Sequence, residues 1–298
     1  MRKNILFHSI LFISLFSCQS KQQEDKQIST IDSTLQVKAT SILEKKLIEL
    51  NALSGQTIIM EVQTGHIKAM VGLERKDSAD YQSCENFSQT HESALIQPIS
   101  ILAALETGKV KLSDTVDVGN GIYSIQDREL KDHNWHRGGY GELTVQEGLA
   151  VGSNIATYKT MEKAFGDNPQ TFFDLLANMS YGKPDSITGI ANLQPAHIVT
   201  PKDNNWTKTA FVWSSIGYNQ HVSPIQILTF YNAIANNGKM IQPQLYKDSV
   251  VVINPQIASR ASIDSLKKAL VFNITDGLGQ PAKSDKVVVV GMQGTSSL

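Results

Sequence analysis

The order of patterns along the 298 residues predicts an α+β fold. Two β-type runs around a glycine-containing turn come first, helical periodicities fill the middle, and a β-branched run, Val287-Val-Val-Val290, stands last. That grouping differs from alternating βαβ units, and no internal repeat is found. An apolar content of 41% excludes a disordered chain, and 20 Gly exclude a collagen-like one. Lys and Arg number 27 against 28 Asp and Glu, so no basic excess exists to neutralise nucleic-acid phosphates.

The first 18 residues read as a separate object. Arg2 and Lys3 precede a short apolar run that ends at Ser17-Cys18, the pattern of an export signal and too short for a comfortable membrane span. Leu15-Phe-Ser-Cys18 resembles a bacterial lipobox, which implies acylation of Cys18 as the mature N-terminus; the alternative is an ordinary signal peptide with an incidental Cys. Without Arg2 and Lys3, two of the 27 bases, 25 bases face 28 acids. Residues 19–33 are polar and aperiodic, a flexible tether. Cys84, followed directly by Glu85, reads as a buried free thiol rather than a reactive one.

Residues 35–53 carry Leu35, Ile42, Leu43, Leu47 and Leu50 at helical spacing. Residues 55–62 and 66–71 read as two strands joined through Thr64-Gly65. Residues 73–90 are loop-like. Pro98 opens a helix that Gly108 closes. Residues 113–141, rich in Asp, Gly and Asn, read as mostly loop. Residues 144–165 read as a helix, 172–179 as a short one, and Ser223-Pro224 starts a third that Asn236-Asn-Gly238 stops. Runs 250–253 and 287–290 read as strands.

Five segments then resemble, in order, the transpeptidase domain of penicillin-binding proteins, the acyl-serine enzymes that cross-link peptidoglycan. They are Thr34-Leu-Gln36 with its helix, the hairpin from Gly55 to Met70, Leu102-Ala-Ala-Leu-Glu-Thr-Gly108, Gly141-Glu-Leu-Thr-Val145, and Gly217-Tyr218 through Gly238. The likeness spans residues 34–298. It implies an antiparallel sheet flanked by helices with a helical subdomain, no cofactor, and a place at the bacterial cell envelope, lipid-anchored and facing the periplasm. The implied partners are the peptidoglycan stem peptide, cell-wall enzymes and the membrane reached through the anchor. The family continues beyond its last motif with further strands; if those are lacking here, either the chain is truncated or the 287–290 strand re-pairs with the hairpin.

The family's chemistry needs three elements. A Ser and a Lys three residues apart on a helix form a nucleophile–base pair; a Ser-x-Asn loop relays protons; a Lys-Thr-Gly strand binds the substrate carboxylate and shapes an oxyanion hole. Counting back from Glu106 places Ala94 at the nucleophile position and Gln97 at the lysine position. Gly152-Ser153-Asn154 stands for the second element, with Gly152 for the serine and Asn154 kept. Gly291-Met-Gln-Gly-Thr295 stands for the third, with Met292 for the lysine, Gln293 for the threonine, and Gly294 and Thr295 retained. Loss of a nucleophile where catalytic groups act as a unit lowers rates on the order of a millionfold. The resemblance therefore implies a pseudoenzyme, with Asn154, Gly294 and Thr295 left as hydrogen-bonding groups.

Rival readings stay beside it. Ser93 or Ser153 could serve as an unorthodox nucleophile, though neither has a base at a recognisable spacing, and gene decay is the third reading. The literal Ser265-Leu-Lys-Lys268 lies on an amphipathic stretch and reads as a solvated helix face. His133 and His136 lack a third ligand at zinc spacing, so no metal is assigned. Trp206 and Trp213 read as core residues or as walls of a peptide groove.

Overall fold

The computed structural model describes residues 27–77, 80–92 and 94–294. The expected leader with Cys18, the first part of the tether, Ser93 and Thr295 lie outside the described residues.

Asp32 starts α1 (Ser33–Glu49) by accepting the Leu35 N–H at 2.9 Å. Ala39 and Leu47 of that helix bury against Ala69, Val71 and Leu73 of the hairpin. The hairpin is β1 (Ser54–Met60) antiparallel to β2 (Ile67–Glu74), in register from Ser54–Glu74 to Ile59–Ala69, with a shift before the Met60–Ile67 pair. Its turn needs Gly65: φ is +75°, and a Cβ there would stand 2.3 Å from the Gln242 carbonyl oxygen. β3 (Gln82–Ser83) extends the sheet beyond β2. Cys84 follows, half-buried rather than fully buried, and burial pushes its thiol pKa up, away from reactive thiolate chemistry.

A 3₁₀ turn over Ala94–Ile96 leads into α2 (Gln97–Glu106), which has Pro98 in its first turn and Gly108 at φ +71° after its end. The stretch expected as loop instead forms two ribbons. β4 (Thr115–Gly119) pairs with β7 (Gly141–Thr144), and between them β5 (Ile122–Ile125) pairs with β6 (Arg128–Lys131) across a two-residue turn. Each strand is only four or five residues long, too short for a period of two to stand out among turn-forming residues. Val118 and Leu130 anchor the ribbons in the main core.

The helix expected over 144–165 is broken. α3 (Val145–Ala150) ends at a turn where Gly152 has φ +62°, and Ser153 caps α4 (Asn154–Phe165). Then come α5 (Gln170–Asn178), β8 (His197–Ile198), α6 (Ala210–Ser215) and β9 (Gln220–His221), the last pairing with β8. α7 (Pro224–Ala235) begins with a capping box between Ser223 and Gln226. β10 (Met240–Ile241) pairs with β11 (Val252–Asn254), and α8 (Arg260–Thr275) follows its Ser259 cap.

α2 packs on both α4 and α8, and Ile99, Leu102, Met161, Phe172, Phe230 and Leu266 form the centre of the main core. Polar bonds hold α2 at its middle and its C-terminal end: Ser100 Oγ donates to the Ser215 carbonyl at 2.8 Å, and the Glu106 carboxylate accepts the Ser259 N–H at 3.0 Å. No helix among the described residues is long and apolar enough to cross a membrane.

The run 287–290 is not a strand. Val287 and Val288 are 65% and 83% exposed. Among the described residues no strand lies alongside to take its N–H and C=O groups, which therefore stay in water. Neither the expected strand nor its re-pairing with the hairpin occurs.

Replacing Ser223 with Ala removes one half of the α7 capping box. We expect a loss of about 1 kcal/mol in unfolding free energy, read from urea denaturation.

Candidate functional site

The motif positions gather at two places: the start of α2 is bonded to the start of α4, and residues 291–293 are held on α8 beside the turn that precedes α2. Gln97, the first residue of α2, is 2% exposed, and its Nε2 donates to Asn154 Oδ1 at 2.8 Å. Asn154 Nδ2 in turn donates to the Lys131 carbonyl at 3.0 Å. Two positions read from separate motifs are thus joined by an amide–amide bond. Gln97 Oε1 is buried without a hydrogen-bond partner among the described residues. An uncharged amide here neither accepts a proton near neutral pH nor carries a charge that would have to leave water.

Ser153 is fully buried, and its hydroxyl is committed. Oγ donates to Asp132 Oδ2 at 2.7 Å and accepts the Ala156 N–H at 2.9 Å, capping α4. Asp132, 0% exposed, also accepts the Ile155 N–H through Oδ1 at 3.0 Å. Burial pushes the Asp132 pKa up, opposed by the N–H and O–H groups aimed at it. Gly152 offers no side chain, and open space lies where its Cβ would be.

Residues 291–293 are held by Asn273 of α8. Its Nδ2 donates to the Gly291 carbonyl at 2.7 Å and to Gln293 Oε1 at 2.8 Å. Met292 packs on the main core and lines an apolar groove of about 500 Å³ together with Leu95, Ile227, Leu228 and Tyr231. The Tyr231 hydroxyl donates to the Leu95 carbonyl at 2.8 Å, so α7 steadies the 3₁₀ turn that carries Ala94. Gly294 is exposed at the end of the described segment.

Other singled-out residues fall elsewhere. Ser265 and Lys268 line a separate cavity beside α3. His133 bonds the Tyr140 hydroxyl at 2.8 Å, while His136 packs edge-on against Trp135. Trp206 stacks edge-to-face on Phe173, against the main core. Trp213 packs on Tyr218 against the main core and also lines a cavity. Sequence reasoning missed Asp132, Asn273 and Tyr231; each acts through bonds to residues more than fifteen positions away, which no local motif marks.

Paired helix starts beside a glycine-bounded segment on an α+β frame agree with the transpeptidase-type layout that the sequence resembles. The family model described as penicillin binding protein transpeptidase domain matches residues 55–294, and the chain belongs to that family. It is 27% identical over 252 residues to the probable peptidoglycan D,D-transpeptidase PbpC of Pseudomonas aeruginosa, covering 82% of this chain and 42% of that protein. It is 24% identical over 224 residues to the peptidoglycan D,D-transpeptidase FtsI of Escherichia coli, covering 70% and 35%. The chain thus spans less than half the length of these curated relatives. Among solved structures, the transpeptidase domain of Burkholderia pseudomallei penicillin-binding protein 3 matches with a TM-score of 0.75 at 20% identity, covering 90% of this chain and 76% of that one. A peptidoglycan glycosyltransferase from Burkholderia ambifaria matches with the same score at 21% identity, covering 90% and 81%. These likenesses bear out the α+β transpeptidase-like fold.

Asp132→Ala should destabilise the protein by about 2–4 kcal/mol, because it strands the donors at the start of α4. Asp132→Asn keeps acceptors there and should cost less. A carboxyl with a raised folded pKa favours folding most below its unfolded pKa and loses that contribution as pH rises through the folded value. Stability of the Asn variant relative to wild type should therefore improve between about pH 4 and about pH 7, measured by urea denaturation at both.

Proposed function

We propose that this chain is a catalytically silent transpeptidase-like domain of the bacterial cell envelope, which holds a peptidoglycan stem peptide or a cell-wall enzyme without acyl transfer. The observation that carries this reading is the Gln97–Asn154 bond at 2.8 Å, an amide pair at the position where the family's reaction needs an amine. Nucleophilic attack requires a hydroxyl with a base in reach. Ala94 carries no hydroxyl, and Ser153 Oγ is buried between Asp132 and the Ala156 N–H with no open face toward the cleft. Met292 supplies no cation for a substrate carboxylate, and its groove is apolar. Asn154, Gly294 and Thr295 are the retained hydrogen-bonding groups, and acylation at Cys18 would tether the domain to the membrane.

The active reading has its own support: curated relatives are named D,D-transpeptidases. Incubation with a fluorescent penicillin followed by denaturing electrophoresis separates the two. The proposed function predicts an unlabelled band. A covalently labelled one overturns the silence and sends the search for a nucleophile to Ser93.

A further inference from the structure

β1 is an edge strand of the hairpin sheet, whose order is β1-β2-β3. The Gly72 carbonyl accepts the Cys84 N–H at 3.0 Å, and the Met70 N–H and carbonyl are bonded to the Gln36 side-chain amide at 2.8 and 2.9 Å. Gly72 and Met70 thus turn their backbone groups away from their β1 partners, Gln56 and Ile58. By the alternation of an antiparallel ladder, the N–H and C=O groups of Gln56 and Ile58 point outward from the sheet. Among the described residues nothing bonds them. Gln56 and Ile58 also line the apolar groove of Met292, and Gln56 Oε1 is buried without a hydrogen-bond partner among the described residues. Edge strands are usually protected from pairing by a charged residue or a proline. Ser54-Gly-Gln-Thr-Ile-Ile-Met60 has neither, and its register shift comes only at the far end, between Ile59 and Met60.

We propose that this edge takes the 287–290 run of a second copy of the chain as an added strand, each copy giving its run to the groove of the other. The run is β-branched throughout, and Val287 and Val288 are largely exposed with their backbone groups in water. Seating it on β1 removes that apolar surface from water and gives both sets of backbone groups partners. Charge favours the same match. Lys283, Asp285 and Lys286 lead into the run with one net positive charge, whereas the groove lining holds the Glu92 carboxylate and neither Lys nor Arg. Within one chain the run stays off β1, yet Gly291, the residue that follows it, lines the groove. Giving and receiving segments therefore lie side by side. A contact of this kind, made twice about a two-fold axis, closes at two copies. It holds whether the domain is silent or active.

Sedimentation velocity of the full chain and two variants tests it. Val288→Lys puts a charge in the run and leaves the edge intact. Gln56→Pro removes an outward N–H that the sheet does not use and leaves the run intact. The wild type is expected to sediment as a dimer. Each variant alone should be a monomer at the same concentration, with a dissociation constant weakened at least about tenfold. An equimolar mixture of the two should regain a heterodimer, because one sound edge then meets one sound run; that recovery also shows both variants to be folded. Gln56→Lys, which charges the same edge, replaces the proline variant if the latter does not melt cooperatively. A monomeric wild type overturns the proposal and leaves the edge to a strand from another protein. A dimer that survives in either variant, or a mixture that stays monomeric, overturns it as well.

Discussion

Asp132 is a carboxylate removed from water at the join between the ribbon layer and the helical core. Isolated, such a charge would cost several kcal/mol. Here the Ser153 hydroxyl and the Ile155 N–H meet it, and they are donors that the first turn of α4 would otherwise leave without partners. The same contacts settle where Asn154 projects, and Asn154 is the acceptor for Gln97. One buried group thereby ties β6, α4 and α2 into a single arrangement.

The neutral pair at the floor changes the character of the site. An ammonium beside Asn154 would need an anion or water to offset its desolvation, whereas Gln97 fits the same donor geometry with no net charge. Its leftover is a single orphaned acceptor, Oε1. Beside it lie an apolar groove at Met292 and a mixed-charge cavity, which share Glu92.

Local signals in the sequence carried well wherever one residue's chemistry decides the backbone. Gly65 and Gly108 turn with positive φ, and the Ser223-to-Gln226 box opens α7 where the spacing puts it. They failed where pairing partners decide instead. The ribbons over 115–144 are made by contacts between short segments that carry little periodicity, and residues 287–290 have strand chemistry without a neighbouring strand. The helix break at Gly152 was hidden because apolar spacing continues across it. For the site, Gln97 and Asn154 were reachable by counting from flanking segments. Asp132 was not, since beside His133 and His136 it suggests a metal loop, and its true partners are 21 and 23 residues away. The cavity at Glu92 gathers residues from separate stretches of chain, a juxtaposition that only folding makes.

Gly152 sets a conformational limit on what the turn between α3 and α4 can carry. Its backbone sits at φ +62°, a conformation that holds any side-chain-bearing residue at about 1–2 kcal/mol above glycine. No neighbouring atom lies within 4 Å of where its Cβ would stand, so the cost of a larger residue is conformational rather than steric. In this backbone a serine at that position carries a strain that glycine does not. The turn between α3 and α4 therefore favours the residue without a side chain.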